Sequence, residues 1–351
     1  MNSAVAMPQY ALEDGDAGRD RELVLRVWHG NLGSDERMAA KYDWFYLSCP
    51  YGKPILQLLR SEPDDACVGV CTVGYRRMIV NGAAIDSGVV VDLAVVEGHR
   101  SLGPALALQQ HLVERARRRT SLLLGFPNAK AVPMFRRAGH QKLADLVRYV
   151  RVLRHGPYFH RRMRPWLATP LGLVVDGGYR LRDRVRAVLG TRIHARWSRT
   201  ADPGMDVLWS ASRPATMLTA VRDSRFVRWR FDESPLLQSR HLLLSGEPDG
   251  ELLAWFTVER RAGILHVLDF WAHDMEGGIR PAHVDVLLRM ARKEGCAAIS
   301  VEMATSPARL AAWASRGFVE RGRRPVFRSW SSAEANADAA GFHLTAGDED
   351  E

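Results

Sequence analysis

The densest chemistry in this sequence lies in six residues. Arg100-Ser101-Leu102-Gly103-Pro104-Ala105 joins a long apolar run, Val89 to Val96, to an amphipathic stretch from Gly103 to Arg118. Where a strand turns into a helix, the first amides of the helix have no intrahelical partner and the helix dipole is positive. Such a turn binds a pyrophosphate without a side-chain charge. Gly103 removes the side chain where phosphate oxygens must come close, Ala105 keeps the next turn thin, and Pro104 suits a first turn because its missing N–H costs little there. Two nearby groups are candidate bases. Asp92 sits inside the apolar run, where lost hydration raises a carboxyl pKa; the alternative is a carboxylate paired with an arginine or turned to water. His99 flanks the turn and is either a second base or a plain surface histidine. Asn128 ends the next apolar segment and suits a helix N-cap.

These residues need a sheet with helices to hold them. Glu22 to Trp28 (ELVLRVW) alternates like a strand, and Ser34 caps a helix with Asp35 and Glu36 in its first turn. Strands are predicted at Ile55–Leu59, Cys67–Val73, Met78–Val80 and Val89–Val96. Then come the helix from Gly103, a strand at Ser121–Phe126, a helix at Ala129–Ala138 and a strand at Leu143–Leu153. The order then repeats. Val207–Trp209 reads as a strand and Pro214–Phe231 as helical. The strand-like runs HLLLS, ELLAWFTVE and ILHVLDFWA follow, then a helix near Pro281–Glu294, a strand at Ala297–Met303, a helix at Pro307–Ser315 and a last strand near Phe318–Phe327. Matching separations point to duplication. Trp44 and Trp229 each precede a proline by six residues; Gly139 and Gly317, each expected to end a helix as a left-handed C-cap, lie 178 apart; Asp92 and Asp269 lie 177 apart.

The turn and its flanks resemble the signature of the GNAT superfamily, in which Gln or Arg is followed by x-x-Gly-x-Gly/Ala between the fourth strand and the third helix. The resemblance implies a mixed-sheet α/β (α+β) fold, here a tandem duplicated GNAT fold. It also implies that acetyl-CoA or another acyl-CoA, as donor substrate, is held by Arg100, Ser101, Leu102, Gly103, Pro104 and Ala105. Asn128 would contact the pantetheine arm where the fourth and fifth strands splay, and the Val95 or Val96 amide would serve the acyl oxygen. Trp44-Phe45 with Pro50, the Gly125–Asn128 element GFPN and Arg222-Asp223…Trp229-Arg230-Phe231…Pro235 resemble double-GNAT acyltransferases found among bacterial surface-polysaccharide genes. Some of these acylate the amino group of nucleotide-linked amino sugars. The acidic ending Gly347-Asp348-Glu349-Asp350 is similar too. One departure matters. Many GNAT enzymes carry a tyrosine four residues before the helix-ending glycine, where it protonates the leaving thiolate; here Phe135 and Trp313 stand there. The second half offers His273–Arg280, glycine-containing but acid-rimmed, in place of a phosphate turn, which implies one cofactor site in the first half and a second half that shapes the acceptor pocket.

Bulk properties narrow the rest. The 351 residues suit two domains. The expected division is a flexible arm at 1–21, a CoA-binding domain at 22–153, a basic and partly helical linker at 154–205, a second GNAT-like domain at 206–330 and a solvated acidic tail at 331–351. Eleven arginines against two aspartates between Arg154 and Thr200 account for the whole net charge of +9, so the chain is not a generally basic nucleic-acid binder. The linker helix expected near Leu181–Ile193 packs on the domains, docks on an anionic membrane or contacts RNA or DNA. No apolar run of membrane-spanning length and no signal-like start occur, so a cytoplasmic location is expected. Cys49, Cys67, Cys71 and Cys296 read as buried free thiols, and no histidine spacing calls for a metal. The expected activity is N-acylation of a small-molecule amine. The alternatives are a noncatalytic binding protein with this fold, or an aminoacyl-tRNA-dependent transferase of the peptidoglycan-bridge type, against which the phosphate turn argues.

Overall fold

The computed structural model describes residues 10–62, 64–155, 176–178, 181–182, 192–331 and 341–350. Strand β1 (Tyr10–Gly15) falls in the segment expected to be a loose arm, and it pairs antiparallel with β2 (Ile55–Ser61). Between them lie α1 (Arg21–Trp28) and α2 (Asp35–Lys41), the latter running on into a π-helical turn at Tyr42–Leu47. The run ELVLRVW is therefore a helix, not a strand. Val24, Val27 and Trp28 also share one helical face, and burying that face against Tyr42 and Tyr46 decides between two periods that coexist in so short a run. Strand β3 (Ala66–Val80) is one element where the sequence suggested two. It turns into β4 (Ala83–Val95) through Asn81 and Gly82, both at positive φ, the geometry of a two-residue hairpin. Helix α3 (Leu102–Arg117), β5 (Leu122–Gly125), α4 (Val132–Arg137) and β6 (Gln141–Val152) complete the first half.

The second half contains β7 (His194–Ser198), α5 (Gly204–Ala211), β8 (Met217–Ala220), α6 (Ser224–Val227) with a π-helical turn at Arg228–Asp232, and β9 (Ser239–Ser245). After these come β10 (Leu252–Arg261), β11 (Ile264–Ala272), α7 (Pro281–Lys293), β12 (Ala298–Thr305), α8 (Pro307–Ser315), β13 (Val319–Ser331) and β14 (Gly341–Thr345). Two expectations fail here. Residues 207–209 lie inside α5, whose Met205, Leu208 and Trp209 form a buried stripe, and the predicted helix at 214–231 contains β8 and only a short α6. Most of the expected linker helix lies outside the described residues. No described helix is long and apolar enough to cross a membrane.

The two halves do not close separate sheets. The order runs β1-β2-β3-β4-β5-β13-β6-β12-β11-β10-β9-β7. Each half therefore lends its late strand to the other: β13 pairs with β5, while β6 pairs with β12. A boundary between residues 153 and 206 separates the chain but not the sheet. The pseudo-equivalent tryptophans meet at the centre. The Trp44 indole donates to the Trp229 carbonyl at 2.7 Å, its ring stacks on Trp229 at 5.6 Å, and the Trp229 indole donates back to the Trp44 carbonyl at 3.5 Å. Arg76 lies over the Phe45 and Trp229 rings at 5.1 and 5.0 Å, adding cation–π contact in the same buried layer.

Candidate functional site

A gap opens between β4 and β5. Their parallel pairing runs from Ser87↔Leu122 to Val90↔Gly125 and stops, although β4 continues to Val95. Helix α3 begins just beyond. Its N-cap, Ser101, has extended backbone and no capping side chain, and a Cβ built on Gly103 meets nothing within 4 Å. The turn is therefore open at Gly103, where a phosphate is expected to approach. Two amides of the expected cradle are engaged by the chain itself: Arg100 donates to the Glu97 carbonyl at 3.2 Å and Ser101 to that of His99 at 2.8 Å. Leu102 and Gly103 are left with first-turn amides that have no intrahelical acceptor. Pro104 has no N–H, and Ala105 enters the regular helix. The Arg100 guanidinium turns back, donating to the Val95 carbonyl at 3.1 Å and to the Asn31 side chain in the α1–α2 loop.

Asn128, exposed beyond β5, accepts from the amides of Lys130 (3.0 Å) and Ala131 (3.1 Å) through Oδ1. It thus closes the turn that leads into α4 rather than capping the helix, whose N-cap is Ala131, and its side-chain N–H donors are left over. The two candidate acyl-oxygen donors separate. The Val96 amide donates across to the Val68 carbonyl at 2.9 Å and is spent. Antiparallel ladders alternate, so its neighbour Val95, opposite Gly69, turns its amide away from β3 toward the gap. His99 is tethered through Nδ1 to the Tyr10 hydroxyl at 3.1 Å.

Asp92 is not a free base. It occupies a bulge where the β3–β4 register shifts, at φ +51°, and its carboxylate meets Lys41 Nζ at 2.7 Å. The Tyr46 hydroxyl lies 3.1 Å from its other oxygen and 2.8 Å from Thr72 Oγ1. Burial raises the Asp92 pKa, and Lys41 pulls against it. The partner is a lysine rather than the expected arginine, and it is shared: Lys41 also meets Asp350 at 2.7 Å. Burial alone would lower the Lys41 pKa, but the two carboxylates outweigh it and the net shift is upward. The acidic ending is accordingly not a solvated tail. Asp348 is 3% exposed, Glu349 pairs with Arg324, and Asp350 pairs with Lys41.

The second half repeats the carboxylate with different chemistry. Asp269, on β11 beside the equivalent register shift, pairs with Arg222 at 2.9 Å, and Arg222 reaches Asp348 at 2.9 Å. Its gap is filled. Pairing of β11 with β12 stops at Val267↔Val301, and β14 then lies along β12 from Met303↔Thr345 to Thr305↔His343. Because β6 covers the other edge of Met303, β14 occupies the side where β11 departs. Thr345 Oγ1 donates to Asp269 at 2.9 Å.

Phe135, at the position of the missing tyrosine, is 5% exposed and packs on Phe327 and His140, with ring centroids at 5.8 and 4.6 Å. Gly125 is required beneath it, since a Cβ there would lie 2.2 Å from the Phe135 ring. Trp313 packs among Phe256, Phe270 and Phe318. Neither ring supplies a proton. Buried His140 lies 3.0 Å from Gln109, and desolvation lowers its pKa to about 4, so it is neutral. Sequence reasoning missed Lys41, Tyr46 and the site role of Asp350. Lys41 ends an ordinary helix, and its partners lie 51 and 309 residues away.

No protein-family model matches the sequence, and no curated protein matches it. Solved structures do. A protein of Enterococcus faecalis V583, described as conserved, of unknown function and a probable N-acyltransferase, matches with a TM-score of 0.63 at 9% identity, over 94% of this chain and 74% of that one. A GCN5-related N-acetyltransferase from Anabaena variabilis ATCC 29413 matches at 0.61 and 11%, over 91% and 72%. Another from Kribbella flavida matches at 0.58 and 13%, over 98% and 82%. The fold is that of the GCN5-related N-acetyltransferases, and the internal pairing shows it twice.

Proposed function

We propose that the chain is an acyl-CoA-dependent N-acyltransferase with one donor site, in the first half, and a small-molecule amine as acceptor. The observation that carries this reading is the alignment of an open strand gap with an unobstructed helix N-terminus at Gly103. The residues fit the group. Leu102 and Gly103 amides would meet the pyrophosphate, and Asn128 has donors left for the pantetheine arm. The bound thioester would supply an activated acyl carbonyl. The Val95 amide, turned to the gap, is placed to stabilise charge developing on the acyl oxygen. Lys41 and Tyr46 hold Asp92 and with it the bulged end of β4.

The acceptor class extends to an amino sugar or another polysaccharide precursor through the resemblance of Trp44-Phe45, GFPN and the Arg222–Pro235 element. A cytoplasmic site of action and membrane contact through the basic segment at 154–205 belong to the same proposal. The test is thiol release from acetyl-CoA with a panel of amino sugars, amino acids and polyamines. Release that depends on an amine supports the reading. Binding of acetyl-CoA without acceptor-dependent release from any of them supports the noncatalytic alternative instead.

A further inference from the structure

Residues 341–350 serve both halves, and their path has a direction. Strand β14 lies in the second half's gap and pairs on its far edge with β8, which pairs in turn with β3. These pairings close a ring of eight strands, β3-β4-β5-β13-β6-β12-β14-β8. The chain then leaves Thr345 through a short helical turn at Ala346–Asp348 and crosses toward the first half. Arg230 Nε donates to the Gly347 carbonyl at 3.0 Å, and Arg76, on β3, donates to the Glu349 carbonyl at 3.1 Å.

Glu349 and Asp350, the last two described residues, reach opposite sides of the first half's gap. Asp350 ends on Lys41, which holds Asp92 on β4. Glu349 ends on Arg324, on β13. Strand β13 runs antiparallel to β5 with Phe327 opposite Gly125, so Arg324 lies three residues beyond the point where β4 and β5 part. Glu349 and Asp350 thus bridge the gap at the level of the Asp92 bulge.

We infer that residues 349–350 are a built-in part of the first half's acyl site, and that Asp350, acting through Lys41, is a positioning residue for the β4 bulge at Asp92 and the Val95 amide beyond it. The inference rests on the acyl-CoA reading above. A simple Lys41–Asp92 pair would be neutral; the third group is an extra carboxylate carried into a buried place, at a desolvation cost that a purely structural pair would not require. Asp92 itself stands at positive φ, a conformation that a non-glycine residue keeps only where its surroundings hold it. Those surroundings are Lys41 from α2, Tyr46 from the π-helical turn, Thr72 and Cys71 from β3, and Asp350; Arg230 faces Asp350 from the other side.

The sequence contains only five lysines, at 41, 53, 130, 142 and 293, so their side-chain NMR signals can be resolved in lysine-labelled protein. Lys130 follows Asn128 and reports on the pantetheine path; Lys41 reports on the acyl end. In the wild type, acetyl-CoA should move both signals, and free CoA should move Lys130 alone. In Asp350→Asn, affinity for acetyl-CoA should fall by about tenfold, a loss of about 1.4 kcal/mol, while affinity for free CoA stays unchanged. Asp350→Glu should recover part of the loss. If acetyl-CoA moves Lys130 but leaves Lys41 still, or if Asp350→Asn weakens both ligands equally, the positioning role is overturned while the donor site stands. If no lysine signal moves and no binding is seen at all, the acyl-CoA reading falls and this inference falls with it.

Discussion

Replacing Gly103 with tryptophan separates binding from folding. A Cβ at this position meets nothing within 4 Å, and the backbone is not in the left-handed region, so the substitution should change the stability of the free protein by no more than about 0.5 kcal/mol. The indole would nevertheless stand over the Leu102 and Gly103 amides. A ligand at 100 times its dissociation constant stabilises a folded protein by about 2.7 kcal/mol. For cooperative unfolding of 351 residues the entropy at the midpoint is roughly 0.7 kcal/mol/K, so acetyl-CoA should raise the wild-type Tm by about 4 °C. The variant should melt where the free wild type does and show no shift with acetyl-CoA. Differential scanning fluorimetry reads both quantities. An equal shift in both proteins would place the ligand away from this helix terminus and refute the reasoning; no shift in either would remove acyl-CoA as the ligand.

Other consequences follow from the packing and the buried charges. Gly125→Ala drives a methyl group to 2.2 Å from the Phe135 ring and should cost about 1–3 kcal/mol; pairing it with Phe135→Leu should recover part of that, and a double-mutant cycle by urea denaturation measures the coupling. Arg222→Met leaves Asp269 and Asp348 buried without their cation and should cost about 3–5 kcal/mol, whereas replacing all three with apolar residues should cost far less. Trp229→Ala empties the centre of the junction between halves and should cost about 3–5 kcal/mol, read in the same way. His140, with its folded pKa depressed to about 4 by burial against an unperturbed 6.5, binds fewer protons folded than unfolded between those values. Its contribution is therefore complete above pH 6.5 and is lost as pH falls toward 4, up to about 3 kcal/mol. His140→Phe should flatten the stability curve in that window, and an unchanged slope would show that the imidazole is not held neutral.

The amino-acid sequence by itself determined the strand-to-helix turn at Gly103, the duplication and most of the strand–helix order. Each of these is a local matter: an apolar run, a glycine where a side chain would obstruct, an amphipathic period, a repeated spacing. Local pattern was ambiguous where a segment was short. ELVLRVW satisfies both periods, and only the aromatic cluster of Trp28, Tyr42 and Tyr46 selects the helix. Within the 214–231 segment, Met217–Ala220 likewise became strand β8 because β3 and β14 offer it edges to pair with. What the tertiary structure alone decided are the partnerships made across long separations. Lys41 finds Asp350 across 309 residues, β13 inserts beside β5, and β14 fills the gap that the second half has in common with the first. A charged residue in a sequence carries no mark of its counter-ion. Whether Asp92 is a base, a surface group or one corner of a buried triad depends on which distant side chain pays its desolvation, and only the folded chain brings that side chain to it.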